Sequence, residues 1–227
     1  MIHNRKVVAL VPIKDHSERV QGKNFREFCG RPLYQHIVQT LDQTYAVDEI
    51  LINTDSHRAL LEAPKLSPKV RVLERPTELR GDLVSMNKII AYDITQTDAE
   101  VFLQTHATNP LLRAATIAHA LKAFVEDEEC DSLFTVNEYH SRFYFSGGKP
   151  VNHDPENLIR TQDLPPLYEE NSCLYVFTKE SFAQRNRRVG IKPKLHVTPS
   201  IESVDIDDEL TFRLAELLAL YGDKTAT

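Results

Sequence analysis

Two short stretches carry side chains whose types and spacing could do chemistry. The first, "VPIKDHSERVQGKN" at 11–24, follows an apolar run and gathers Lys14, His16, Arg19 and Lys23 around a single glycine, Gly22. A loop after the first strand of an α/β sheet is well placed to bind phosphate. With so little glycine the cradle must use side chains: Lys14, Arg19 and Lys23 as charge clamps on a polyphosphate, and Ser17 as a hydroxyl donor. The alternative is a solvated loop, because Asp15 and Glu18 cancel part of the positive charge. No Walker loop is present, since Gly22-Lys23 is followed by Asn24 rather than Ser or Thr, and there is no dinucleotide GxGxxG.

The second stretch is "ESVDIDDEL" at 202–210. Residues two apart in a strand share a face, so Asp205 and Asp207 would present paired carboxylates while Ile206 points into the core. Such a pair can hold Mg2+, which takes one or two carboxylates plus phosphate oxygens and water. Equally, Asp207 or Asp208 could simply cap the final helix. His16, His106 and His140 are general-base candidates because an unperturbed imidazole titrates near neutrality, with surface or structural roles as the alternative.

The elements that must position these groups alternate. "KVVALVPI" reads as a strand buried on both faces, and "PLYQHIVQTLDQ" as a helix presenting Leu33, Ile37, Val38 and Leu41. Strand-like "DEILINTD", "KVRVL", "EVFLQT" and "DSLFTV" then alternate with helical "SMNKIIAYDIT" and "ATIAHALKAFV". This predicts an α/β fold: a three-layer, Rossmann-like, mostly parallel sheet whose site lies beyond strand ends at Ile13, Asn53, Leu73 and Leu103. The segment 137–171 breaks the pattern with Pro, Gly, Asn and aromatics, and reads as a hairpin-like arm. "CLYVFT" returns to the core, "KLHVTP" and "ESVDI" read as further strands, and "DELTFRLAELLALY" as an amphipathic closing helix.

Composition narrows the partners. A chain of 227 residues, 41% hydrophobic and 26% charged, predicts a folded single domain over 1–227 with the arm inserted in it. The net charge of -6 argues against nucleic-acid binding. No apolar run approaches the roughly 18 residues of a membrane span, and the start lacks a cleavage site, so the expectation is no membrane and a cytoplasmic location. Cys29, Cys130 and Cys173 are distant and odd in number, which predicts reduced, buried thiols rather than a disulfide framework.

Taken together, from about Val7 to Ala219, the chain resembles the acylneuraminate cytidylyltransferase family, the CMP-sialic acid synthetases. The resemblance rests on Pro12, Ser17 and "GKN", then "GRPLYQHIVQTL", "INTDS", "RPTELRGD", "QDLPPLYEEN" and "SVDIDDELTF", in that order. It implies a nucleotidyltransferase of the nucleotide-diphospho-sugar transferase fold. A sialic-acid-like 2-keto-3-deoxy sugar acid would attack the α-phosphorus of CTP, and pyrophosphate would leave. By position, Pro12, Lys14, Ser17, Arg19, Lys23 and Asn24 would bind the nucleotide, with Lys14, Ser17 and Lys23 on its phosphates, and Arg75 and Ser85 would contact the cytidine. Gln104, Thr105, Arg160 and Gln162 would meet the sugar. Asp205 and Asp207 would hold Mg2+, with Lys14, Lys23 and Asp207 carrying the chemistry. It also implies a homodimer through the arm, the alternative being a lid over the chain's own site.

The chain departs from the family pattern at several points. Lys14 replaces an arginine and Glu18 occupies a cation's place. "QTHATNP" is two residues longer than the usual Gln-Pro-Thr-Ser-Pro, Thr161 stands where an arginine usually precedes Gln-Asp-Leu-Pro, with Arg160 one position earlier, and Asn171-Ser172 replaces Asn-Gly. Other readings are the related 3-deoxy-manno-octulosonate cytidylyltransferase, whose Gln-Gly-Asp-Glu-Pro segment is absent here, a nucleotide-diphosphosugar-dependent transferase, and a CTP-binding protein that has lost catalysis.

Overall fold

The computed structural model describes residues 5–17 and 19–222; Glu18, whose charge enters the expectation above, lies outside them. The elements in chain order are β1 (Val7–Ile13), β2 (Glu27–Phe28), β3 (Arg31–Pro32), α1 (Leu33–Gln43), β4 (Glu49–Thr54), α2 (His57–Glu62), β5 (Val70–Glu74), α3 (Met86–Thr95), β6 (Val101–Thr105), α4 (Ala114–Val125), β7 (Ser132–Tyr139), β8 (Leu167–Thr178), α5 (Lys179–Arg185), β9 (Pro193–Val197) and α6 (Glu209–Tyr221).

Seven strands form one sheet in the order β5-β4-β1-β6-β8-β7-β9, and β2 pairs with β3 as a small separate ribbon. Neighbours run parallel except at β8, which is antiparallel to both β6 and β7. The unbroken apolar run of β1 is explained by its two covered faces. Val7, Ala9, Val11 and Ile13 pack with α1 and α4, whereas Val8 and Leu10 pack with Ile90 and Ile94 of α3 and Phe182 of α5. Each such side chain contributes about 1.5–3 kcal/mol on burial, so helices are required on both sides of the sheet. The three-layer, mostly parallel architecture follows.

"ESVDI" does not form the expected strand. Its backbone finds partners in the loop after β6 instead. Ile206 donates its N–H to the Thr108 carbonyl at 2.9 Å, and the buried carboxylate of Glu202 accepts the Arg113 N–H at 2.9 Å. An extended chain tied to a loop shows the same two-residue alternation as a strand, which is why the sequence pattern is ambiguous here.

Between β7 and β8 the ladder runs beyond the core through Asn137↔Glu169, Glu138↔Tyr168 and Tyr139↔Leu167. Residues 140–166 continue from it, with one further bridge between Tyr144 and Pro150. Nearer the core, β8 carries an irregularity, because Phe134 and Val136 on β7 are matched by Tyr175 and Glu170. Thr135 holds this bulge, accepting the Leu174 N–H at 3.0 Å and donating to the Leu174 carbonyl at 3.3 Å. Ser172 sits in it at φ 58°, a left-handed conformation that glycine adopts more readily than serine.

Candidate active site

The basic loop leaves the buried end of β1 and turns at Gly22, whose φ of 61° suits glycine, into a short 3-10 turn over Lys23–Phe25. Val20 faces inward and packs with Phe28, Leu33, Ile206 and Phe212. This cluster joins the loop to a segment almost 200 residues later, and it leaves the charged neighbours of Val20 and Ile206 facing each other. Arg26 reinforces the joint: its Nη1 donates to both Glu209 oxygens at 2.6 and 2.7 Å, and its guanidinium lies 4.1 Å from the Phe212 ring centroid. Between loop and tail opens a cleft of ≈ 250 Å3 that Pro12, Lys14, His16, Ser17, Arg19, Lys23 and Asn24 help to line.

Asp208 resolves the question of the acidic tail. It caps α6, its Oδ1 accepting the Thr211 N–H at 2.7 Å while Thr211 returns a hydroxyl to the Asp208 backbone. Asp205 and Asp207 are therefore left for the cleft. Arg19 pairs with Asp207 at 2.9 Å, and Lys23 Nζ donates to the Ile206 carbonyl at 2.5 Å and stands 4.0 Å from Asp207. Burial lowers the Lys23 ammonium from its ordinary pKa, with Asp205 and Asp207 working against that shift and Arg19 adding to it. Burial raises the Asp205 carboxyl, and its Oδ1 is buried with no hydrogen-bond partner.

A buried, unpaired carboxylate oxygen beside a second carboxylate is a donor set that suits Mg2+. Among the described residues no three His, Cys, Asp or Glu side chains converge as a metal cage. Two protein ligands fit a cation that completes its shell with phosphate oxygens and water.

Other predicted residues are positioned differently. Lys14 pairs with Asp82 across the cleft at 2.9 Å, and Asn24, itself buried, holds the Lys14 carbonyl at 2.8 Å, which makes Asn24 a strut of the loop. Arg75 is only 1% exposed; it donates to the Asn53 side chain and carbonyl, both at 2.8 Å, and to the Ile13 carbonyl at 3.2 Å. It thereby clamps the ends of β1 and β4, with Nη1 buried and unpartnered. Ser85 caps α3 by accepting the Asn87 N–H at 3.3 Å, beside Met86 on the cleft wall. Thr105 is fully buried, outside the cleft lining, and donates to the Cys173 carbonyl at 2.7 Å, so its side chain joins β6 to β8. Arg160 and Gln162 are exposed on the 140–166 segment and do not line the cleft; Arg160 forms a bidentate pair with Asp163 at 2.7 and 3.1 Å.

The histidines separate as well. His16 and His106 line the cleft, whereas His140 lies at the base of the arm between Glu138 and the Leu164 carbonyl. Burial, with Arg188 and Lys23 nearby, pushes His106 down to about 4, which removes the near-neutral titration that recommended it as a base. Cys29, Cys130 and Cys173 are free, and burial raises each thiol, Cys173 to about 12.

Sequence reasoning missed two members of the site. Asp82 stands at the end of the quoted "RPTELRGD" and could have been found there as the counter-charge of Lys14. Arg188 follows α5 in "RNRRV", which reads only as a charged helix end. Its guanidinium donates to Gln104, a fully buried side chain that also contacts His106 at 3.1 Å.

A converging set of cations, a phosphate-sized cleft and two adjacent carboxylates at the carboxyl ends of parallel strands is machinery for handling a nucleoside triphosphate. A profile of the family described as Cytidylyltransferase matches residues 8–219. The chain belongs to that family. The cytidylyltransferase is 23% identical over 232 residues to a pseudaminic acid cytidylyltransferase of Campylobacter jejuni, covering 97% of this chain and 99% of the relative. It is 26% identical over 228 residues to a CMP-N,N'-diacetyllegionaminic acid synthase of Legionella pneumophila, covering 94% and 96%. Among solved structures, a CMP:2-keto-3-deoxy-manno-octonic acid synthetase complexed with CTP shares the fold, with a TM-score of 0.68, 14% identity and coverage of 96% and 99%. The protein is therefore an enzyme, a nucleotidyltransferase that transfers a cytidylyl group from CTP. No helix among the described residues is long and apolar enough to cross a membrane.

Proposed function

We propose that this cytidylyltransferase joins CMP to a nonulosonate, a sialic-acid-like 2-keto-3-deoxy sugar acid, with release of pyrophosphate. The observation that carries the reading is that Arg19 and Lys23 of the cleft-lining basic loop meet the Asp205–Asp207 pair, while Lys14 lines the same cleft. The names of the relatives supply the acceptor class. The acceptor's anomeric hydroxyl oxygen forms a bond to the α-phosphorus, the bond from that phosphorus to the bridging oxygen breaks, and pyrophosphate leaves with the electron pair. The hydroxyl proton passes to solvent.

The chain's own work is positional and electrostatic. Lys14, Ser17 and Lys23 hold the β- and γ-phosphates, and Arg19 exchanges Asp207 for a phosphate when the nucleotide arrives. Asp205 and Asp207 hold Mg2+, which supplies neutralisation of the leaving charge. Arg75 directs its unpartnered Nη1 N–H to an acceptor atom of the cytosine, while its three hydrogen bonds keep it rigid.

The arm is proposed as a dimer interface. Tyr144, Phe145, Leu158, Ile159 and Tyr168 are all exposed large hydrophobic side chains on it, more apolar surface than a solvated loop needs. Pyrophosphate release from CTP and Mg2+, measured with pseudaminate, N,N'-diacetyllegionaminate, N-acetylneuraminate and 3-deoxy-manno-octulosonate, tests the reading. Release with one of the first three supports it; release with the octulosonate alone would overturn the acceptor class.

A further inference from the structure

Beyond the phosphate loop lies a cation of different character. Arg188, in the turn between α5 and β9, is half-buried, with its guanidinium carbon 3.8 Å from the Tyr175 ring centroid and Nη1 donating to the Gln104 side-chain oxygen. It has no ion-pair partner among the described residues, and Glu170 nearby already accepts the Tyr175 hydroxyl. Burial lowers this guanidinium from its ordinary pKa. Tyr175 and Glu170 oppose that shift without a direct ion pair, and a charge held partly out of water with so little direct compensation gains most from an anion that arrives.

The surroundings aim Arg188. Gln104 Nε2 donates to the Thr105 carbonyl at 2.9 Å and contacts His106 at 3.1 Å, so its oxygen is committed to the guanidinium. His106 in turn lines the cleft next to the basic loop, so Arg188 stands behind the phosphate site through two touching side chains. Stacking on Tyr175 covers one face of the guanidinium. That favours approach in its plane, where the fork matches the two oxygens of a carboxylate. The β8 bulge steadies the ring under the guanidinium: the Tyr175 hydroxyl contacts Ser172 at 3.1 Å. The arginine expected from sequence to face the acid, Arg160, already has its own bidentate partner in Asp163.

We propose that Arg188 is the specificity-determining residue that receives the carboxylate of the acceptor sugar acid. The assignment rests on the nonulosonate reading above. In a 2-keto-3-deoxy acid the carboxylate and the attacking hydroxyl share one carbon, so anchoring the first fixes the second.

The test is steady-state kinetics with CTP, Mg2+, the most active nonulosonate and its carboxamide, in wild type, Arg188→Met and Arg188→Lys. Arg188→Met lowers kcat/KM for the acid about 100-fold, leaves the KM for CTP within about two-fold, and abolishes the preference for acid over amide. Arg188→Lys keeps that preference with about a ten-fold loss, because the charge stays while the fork goes. An equal loss for acid and amide, or a preference that survives Arg188→Met, would overturn the assignment. Calorimetric CTP binding shows that each variant is folded, and should Arg188→Met fail it, Arg188→Gln takes its place, with loss of the acid preference expected and a surviving preference overturning the assignment. A wild type silent with every nonulosonate removes the acceptor reading and this assignment together, whereas an active wild type with an indifferent Arg188 removes the assignment only.

Discussion

The phosphate end of the site and the Arg188 end behind it are built on opposite principles. At the phosphate end every cation already has a partner: Lys14 has Asp82, Arg19 has Asp207, and Lys23 has the Ile206 carbonyl. At the other end Arg188 has a neutral amide and an aromatic ring, and among the described residues no direct ion pair, with Glu170 acting on it only from a distance. The first arrangement tolerates an empty site, since exchangeable, solvent-reached ion pairs cost little to break, about 0–1 kcal/mol each. The second leaves a charge to be completed by its ligand. On the roles proposed above, nucleotide is met by groups that trade partners, and the acceptor by a group that waits for one.

The largest effect that would break this comparison is loss of a tail carboxylate. Asp207→Ala lowers kcat/KM for pyrophosphate release by about 10²–10³-fold, the range seen when one group that stabilises developing charge is removed. Lys23→Met follows, with about 100-fold loss borne by CTP use and none by the acid-to-amide preference. If Lys23→Met altered that preference instead, the two ends would not be separate.

Arg75→Met sharpens a different boundary, between binding and architecture. It leaves the Asn53 and Ile13 acceptors unpaired in the interior, and lowers stability by about 3 kcal/mol, read as a fall of roughly 10 °C in Tm. An unchanged Tm would show that the clamp between β1 and β4 is not structural.

Asp93, which accepts from Asn53 beside this clamp, adds a pH dependence. Burial raises its carboxyl from 3.8 to about 7, and its Oδ2 has no partner. Between about pH 4 and 7 the folded chain holds a proton that the unfolded chain has released. Stability from this group is therefore full below that window and is lost as pH rises through it, by about 1.4 kcal/mol per pH unit. Denaturant unfolding at pH 5 and 7 shows the slope in wild type and a flatter one in Asp93→Asn.

The smallest effect is at the bulge. Ser172→Gly relieves the left-handed φ and raises stability by about 0.5–1 kcal/mol, set against loss of the contact to Tyr175. A lower Tm would place the hydroxyl contact above the strain.

How far the sequence reaches differs between the same two ends. Lys14, Arg19 and Lys23 lie within ten residues of one another, and Asp205 and Asp207 straddle one apolar residue, so local spacing was enough to single them out as candidates, while their sharing of one site was implied by the family resemblance. The sheet was legible for a related reason, since an apolar run such as β1 carries its two covered faces in its composition. Arg188 depends on β6, β8 and the turn after α5 meeting across 84 residues of chain, and nothing in "RNRRV" records that encounter. Thr105 is buried because the end of β6 faces the bulge of β8, a tertiary contact that its sequence neighbours do not record. "ESVDI" failed as a strand because its partners are loop carbonyls and amides.

The central claim is that the basic loop and the Asp205–Asp207 pair form one site for CTP with its metal. Calorimetric CTP affinity with and without Mg2+ tests it most directly, in wild type and in the double variant Asp205→Asn, Asp207→Asn. Wild type binds CTP at least about ten-fold more tightly with Mg2+, and the double variant binds it equally with or without the ion. A double variant that keeps the full Mg2+ dependence would contradict the account.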